Sequence, residues 1–188
     1  MKNCRREISV KEIVFITGGC KSGKSLHALE LAEKRKGDRK VFVATCIPFD
    51  NEMKERIRRH QKERSKTWHT LEVPVLLSET ISEWSAKSDI ILIDCLTLWI
   101  NNIMFQHADI DKITDNIQKL VSSLKDSYCP VVLVSNEVGS GIVPDNELAR
   151  FFRDAAGLVN QKIASIADRV IWMVAGIPVV IKDTAKCK

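Results

Sequence analysis

The sequence predicts an α/β fold of three layers, a mostly parallel sheet between helices with a C-terminal antiparallel hairpin, and three observations carry that prediction. Five short β-branched runs recur at residues 12–17, 40–45, 89–94, 130–135 and 169–174, and each is continuously apolar rather than alternating. Strands read that way when both faces of a parallel sheet are covered. Between the runs, residues 25–35, 110–124 and 148–167 carry apolar side chains at three- and four-residue spacing, the mark of helices with one buried stripe. Strand alternating with helix then implies right-handed crossovers and a doubly wound sheet.

Taken in order, the first run ends in a glycine-rich turn and leads into the helix at 25–35. The run at 40–45 is followed by a polar, strongly basic stretch, residues 50–66, with Asp50 as N-cap and no internal Gly or Pro, which predicts another helix. The runs at 89–94 and 130–135 flank the helix at 110–124, and the long helix at 148–167 leads into the last run. The tail, residues 170–182, breaks at Ala175-Gly176-Ile177-Pro178. Two strands joined there form the terminal hairpin.

Composition sets the class. At 188 residues, 45% hydrophobic and 28% charged, with no repeat and no long linker, the chain reads as a single soluble domain spanning 1–188. No apolar run approaches the ~20 residues of a membrane helix. Residues 1–8 are polar and basic with no apolar stretch behind them, so no secretion signal is expected and the cytoplasm is the expected compartment. The six cysteines, Cys4, Cys20, Cys46, Cys95, Cys129 and Cys187, are scattered without a C-x-x-C pair, which disfavours zinc and redox chemistry and favours reduced thiols. A net charge of +5 points to an anionic partner without choosing among nucleotide, nucleic acid and membrane surface.

The chemistry enters with Gly18-Gly19-Cys20-Lys21-Ser22-Gly23-Lys24-Ser25, a complete G-x-x-x-x-G-K-[ST] between an apolar strand and a helix. Such a loop turns successive N–H groups toward phosphate oxygens, and the helix behind it adds its own unsatisfied donors. Lys24 is expected to supply a point charge to the outer phosphates, and the Ser25 hydroxyl to ligate Mg²⁺. This makes the expected fold P-loop NTPase-like, with a nucleoside triphosphate as phosphate donor. Asp94 closes the run Ile90-Ile91-Leu92-Ile93 at the rim where such sheets bind ligands, and is expected to hold Mg²⁺ directly or through water. An N-cap or loop carboxylate is the structural alternative. Glu137 follows the next run and is a candidate to orient Mg²⁺ or a substrate hydroxyl.

Within residues 50–66, Met53, Ile57, His60 and Arg64 share one helical stripe, and Lys54, Arg56, Arg58, Arg59, Lys62 and Lys66 make the segment basic. A neutral imidazole among cations can attack phosphorus. The residues by themselves leave three readings open: a structural histidine on a solvated helix, a nucleic-acid arm, or a nucleophile.

Several segments taken together resemble one family, the bifunctional adenosylcobinamide kinase/adenosylcobinamide-phosphate guanylyltransferases of cobalamin biosynthesis. They begin with Thr17 to Ser25 and Phe42-Val43-Ala44-Thr45. Asp50-Asn51-Glu52-Met53, Arg56-Ile57-Arg58-Arg59-His60, then Arg64, Trp68 and Glu72 follow, and after them Asp94-Cys95-Leu96-Thr97-Leu98-Trp99. The most specific run is Asn136-Glu137-Val138-Gly139-Ser140-Gly141-Ile142-Val143-Pro144, continued by Leu148-Ala149-Arg150, Phe152-Arg153-Asp154 and Gly157-Leu158-Val159-Asn160-Gln161, which ordinary P-loop kinases do not share.

The resemblance implies an enzyme that phosphorylates adenosylcobinamide and then transfers GMP from GTP to that phosphate through a GMP–histidine intermediate. It puts the catalytic roles on His60 and Lys24. It makes Thr45, Gln61, Lys62, Glu63, Arg64, Glu72, Asp94 and Thr97 nucleotide contacts beside the loop. Mg²⁺ with GTP and ATP, a cobinamide acceptor, no nucleic acid and a homo-oligomer, trimeric as in the family, complete the expectation. Two departures stand out. Lys21 replaces the usual arginine, which keeps charge but loses two-pronged reach, and residues 1–11 form an extension without counterpart. The rival is a P-loop GTPase switch or a nucleic-acid-associated NTPase using the basic segment as its contact surface. The absence of an N-K-x-D guanine motif argues against the switch, and His60 argues against a kinase that has lost guanylyl transfer.

Overall fold

The structure, a computed structural model, describes residues 11–47, 67–106 and 109–184. The elements are β1 (Ile13–Gly18), α1 (Lys24–Glu33), β2 (Lys40–Ala44), β3 (Trp68–Glu72), α2 (Leu77–Trp84), β4 (Ile90–Asp94), α3 (Leu96–Gln106), α4 (Ile110–Lys125), β5 (Val131–Asn136), α5 (Glu147–Ile166), β6 (Arg169–Val174) and β7 (Ile177–Asp183). They build one seven-stranded sheet in the order β3-β2-β4-β5-β1-β6-β7. Every pairing is parallel except β6 with β7.

The continuous apolar runs have the expected cause. Successive residues of each inner strand enter opposite layers. Phe15, Val43, Ile91, Ile93 and Leu133 join α2, α3, α4 and α5 in one core, whereas Val14, Ile16, Leu92, Val132 and Val134 meet Ala28, Leu31 and Ala32 of α1 on the other face. Helices therefore cover both faces, and the sheet is the middle of three layers. The five sequence-predicted strands appear within a residue of the expected bounds, and so do α4 and α5, while α1 ends two residues early.

The terminal hairpin turns through Ala175 and Gly176, at φ 49° and 83°. Two successive positive φ values make the tight turn whose twist suits paired strands. Pro178 sits on β7, an edge strand, where its missing N–H costs no ladder bond. The segment 50–66, predicted helical, lies outside the described residues.

Candidate active site

Parallel pairing sends the carboxyl ends of β1 to β5 to one rim, and the sequence-predicted site residues collect there. Residues 18–25 bridge β1 and α1, Thr45 and Glu72 end β2 and β3, Asp94 ends β4, and Glu137 follows β5. Thr97 lies in the first turn of α3.

The loop is a wrapped cradle. Helix α1 opens at Lys24 behind Gly23, with no side-chain cap and no acidic residue in its first turn. Its leading N–H groups are thus left for an anion, with the positive end of the helix dipole behind them. The Lys24 ammonium turns back across the loop, 2.5 Å from the Gly19 carbonyl oxygen and 3.4 Å from Ser22 Oγ. Burial pushes its pKa down, opposed by Cys95, Cys20 and Asp94. A desolvated ammonium held by little more than a carbonyl is set to trade that partner for phosphate oxygens, which would restore its charge.

Two glycines let the hairpin support this cradle. Gly18, at φ 151°, lies so close to β6 that a Cβ there would come within 2.4 Å of the Met173 carbonyl oxygen. A Cβ on Gly23 would meet the Gly176 Cα at 3.4 Å, and the Gly176 N–H donates to the Ser22 carbonyl at 3.1 Å. The β6–β7 turn therefore props the loop from outside.

Across the rim, Asp94 is half-buried beside a lattice of hydroxyl contacts. Thr45 Oγ1 donates to the Cys95 carbonyl at 2.7 Å and accepts from the Cys95 N–H at 2.9 Å, while Asn102 Nδ2 donates to the Thr45 carbonyl at 2.8 Å. Thr97 Oγ1 accepts from the Asn136 N–H at 2.7 Å. Both threonines are buried, with their hydroxyls engaged by the protein. In this arrangement their side chains fix the ends of β4 and β5. Glu72 is exposed at the end of β3. One Glu137 carboxylate oxygen accepts the Gly139 N–H at 2.6 Å, which ties this side chain to its own turn. His60, Gln61, Lys62, Glu63 and Arg64 lie outside the described residues.

Among the described residues, no group of three or more His, Cys, Asp and Glu side chains could cage a metal. Mg²⁺ at a nucleotide needs none, because it takes one or two protein oxygens and fills its octahedron with phosphate and water. Ser25 and Asp94, one hydroxyl and one carboxylate, fit that demand.

Two residues that sequence reasoning left without a role are Arg150 and Arg153 on α5. Their guanidinium groups donate to four carbonyls of the loop after β5, at distances from 2.6 to 3.1 Å. Cations in the opening turns of a helix oppose its dipole. That misfit was the available signal that they serve something other than the helix.

Residues 14–181 match the family described as cobinamide kinase/cobinamide phosphate guanyltransferase, CobU. This chain belongs to that family. It is 40% identical over 184 residues to the bifunctional adenosylcobalamin biosynthesis protein CobU of Salmonella typhimurium, covering 90% of this chain and 99% of that protein. The corresponding CobP protein of Pseudomonas aeruginosa is 38% identical over 168 residues, covering 89% of this chain and 96% of that one. Among solved structures, the flagellar accessory protein FlaH of Methanocaldococcus jannaschii superposes with a TM-score of 0.51 at 14% identity, over 94% of this chain and 80% of that one. A prototypical ATPase from the type III secretion system of pathogenic bacteria superposes with a TM-score of 0.59 at 12% identity, over 88% of this chain and 51% of that one. At those identities the likeness speaks for the P-loop NTPase-like fold. Among the described residues no helix is long and apolar enough to cross a membrane.

Proposed function

We propose that this member of the CobU family phosphorylates the aminopropanol hydroxyl of adenosylcobinamide and then transfers GMP from GTP to the resulting phosphate. The observation that carries the reading is the cradle at residues 18–25, with the Lys24 ammonium drawn over it and the Asp94 carboxylate near enough to act on that charge.

In the kinase step the cradle N–H groups and Lys24 hold the outer phosphates of the donor, ATP or GTP. The cobinamide hydroxyl attacks the γ-phosphorus in line, its proton leaves to a nearby base, and the bond to the nucleoside diphosphate breaks. Lys24 and the loop dipoles gain most where charge develops on the transferring oxygens. Ser25 and Asp94 would hold Mg²⁺, which when bound supplies neutralising charge and a template for the phosphates.

In the guanylyl step we assign the nucleophile to His60. Its imidazole nitrogen forms a bond to the α-phosphorus of GTP as the α–β bridge breaks and pyrophosphate leaves. A phosphate oxygen of adenosylcobinamide phosphate then attacks the same phosphorus and releases the histidine. Gln61, Lys62, Glu63, Arg64 and Glu72 are proposed nucleotide contacts, as are Thr45 and Thr97.

We further read residues 1–188 as a single domain, with 1–11 as an extension. The protein is proposed to work in the cytoplasm. A homo-oligomer, a trimer by family resemblance, is supported by the apolar edge strand β7, where Ile177, Val179, Val180 and Ile181 stand exposed.

The cradle is tested by Lys24→Ala. Loss of one phosphate-stabilising group typically costs ~10²–10³ in turnover, so phosphorylation of cobinamide should fall by at least that much. Near wild-type turnover in a steady-state assay with labelled donor would remove the loop from the mechanism.

A further inference from the structure

The loop between β5 and α5, residues 137–146, has no regular secondary structure, yet it is held at many points. Its base is fixed to the cradle, where the Glu137 N–H donates to the Gly18 carbonyl at 3.0 Å. Asn160 Nδ2 adds a bond to the Asn136 carbonyl at 3.1 Å. Further out, Arg153 reaches back across the loop, with Nη1 donating to the Ile142 carbonyl at 2.9 Å and Nη2 to the Gly139 carbonyl at 2.6 Å. Arg150 closes the far end on the Pro144 and Asp145 carbonyls at 3.1 and 2.6 Å. Asn146 then caps α5 by accepting the Ala149 N–H at 3.0 Å.

This bracing preserves an unusual surface. Ile142 is 96% exposed and Val143 63%, and Leu148 on the first turn of α5 is 57% exposed. Ordering a glycine-containing loop costs backbone entropy that such exposed side chains do not return within the chain. The guanidinium bonds offset that cost, each charge-assisted and planar, and hold the apolar tip out on a loop whose base is bonded to the cradle. None of the phosphate chemistry uses this tip.

We infer that the loop at residues 137–146 is the acceptor platform of the site, with Arg153 as its positioning residue and the exposed Ile142–Val143 tip as the surface that meets the corrinoid. The inference rests on the proposed function, because the acceptor it names is cobinamide. A corrinoid presents broad apolar ring faces and a rim of amides. A braced apolar tip, on a loop whose base is bonded to the cradle and flanked by polar backbone, matches that chemistry over a wider area than the smaller base face of a nucleotide donor would cover. Because the loop shares a hydrogen bond with Gly18, fixing it also fixes the distance between acceptor and phosphate.

The test measures kcat and KM for cobinamide and for the donor separately, in the full-length enzyme and three variants. Arg153→Ala removes both bonds, Arg153→Lys keeps the charge without the two-pronged reach, and Ile142→Asp alters the tip at a position with no packing to lose. Arg153→Ala and Ile142→Asp should each raise the KM for cobinamide about tenfold and leave the donor KM within about twofold, with Arg153→Lys between wild type and Ala. A purely structural role for Arg153 would instead move both KM values together and leave Ile142→Asp at wild-type values. That result, or an unchanged cobinamide KM in Ile142→Asp, overturns the platform. Wild-type enzyme that does not phosphorylate cobinamide at all overturns the functional reading beneath it, and the two failures are told apart by the wild-type assay alone.

Discussion

The thiols illustrate how strongly position sets residue chemistry in this protein. Cys20 lies exposed in the cradle, whereas Cys95 and Cys129 are buried at the ends of strands. Burial pushes the Cys95 pKa up to about 12, with Asp94 adding to the effect, and that of Cys129 up to about 11. Because the thiolate is the reactive form, both buried groups should resist alkylation near neutral pH. Iodoacetamide followed by peptide mass mapping should label Cys20 in the native protein and reach Cys95 and Cys129 only after denaturation. A saturating Mg²⁺–nucleotide complex should slow labelling at Cys20, since the phosphates occupy the same loop. The sign of the pH effect follows. The fold holds these protons more tightly than the unfolded chain does, so their contribution to stability is complete below the ordinary thiol value of 9.0. It is lost as pH climbs from there through the folded values, and denaturant midpoints should fall on that alkaline limb. Rapid native labelling of Cys95 would contradict the packing around the end of β4.

At the scale of elements, the β6–β7 hairpin joins stability to the phosphate site. Ala175 occupies the left-handed region at φ 49°, which costs an L-residue without local compensation ~1 kcal/mol. Asn tolerates that region better, so Ala175→Asn should raise Tm by ~2–4 °C without loss of activity. Gly18→Ala should do the reverse. Its Cβ meets the Met173 carbonyl, a backbone atom, and relief would separate β1 from β6 at the start of the cradle, at a cost of ~1–3 kcal/mol. Thermal denaturation of the two variants checks both signs.

The same scale explains what the sequence did and did not reveal. Strands buried on both faces announced themselves as apolar runs, and amphipathic α4 and α5 by their stripes. β3 did not, because at the sheet edge Trp68 is buried while His69, Thr70 and Glu72 are exposed, which leaves no continuous run. α3 escaped for the opposite reason. Leu96, Thr97, Trp99, Ile100, Asn102, Ile103 and Met104 are all buried, so the helix is covered on most sides and has little stripe to detect. α2 is only 8 residues long and rests on Leu77 and Ile81. At the site, the place of the loop at residues 18–25 between strand and helix and the rim position of Asp94 were legible, because phosphate chemistry restricts residue type and spacing. The engagement of Thr45 and Thr97 by neighbouring strand ends was not, since it depends on pairs far apart in sequence. Nor was the Arg150 and Arg153 brace, whose partners are carbonyls that carry no sequence signature.

For the molecule as a whole, the central claim is that one cradle serves two reactions, with phosphoryl transfer at the loop and nucleotidyl transfer through His60. The two should be separable, because His60 belongs to a segment distinct in sequence from residues 18–25. The most direct measurement incubates the protein with GTP labelled at the α-phosphorus and asks whether label survives a denaturing gel. A phosphoramidate at histidine is labile in acid and stable in alkali. Wild-type protein should therefore retain labelled GMP through mild base and release it in acid. His60→Ala should lose both the adduct and GMP transfer while still phosphorylating cobinamide. Wild-type protein that never labels under turnover conditions, or a His60→Ala protein that still forms the acid-labile adduct, would contradict the account.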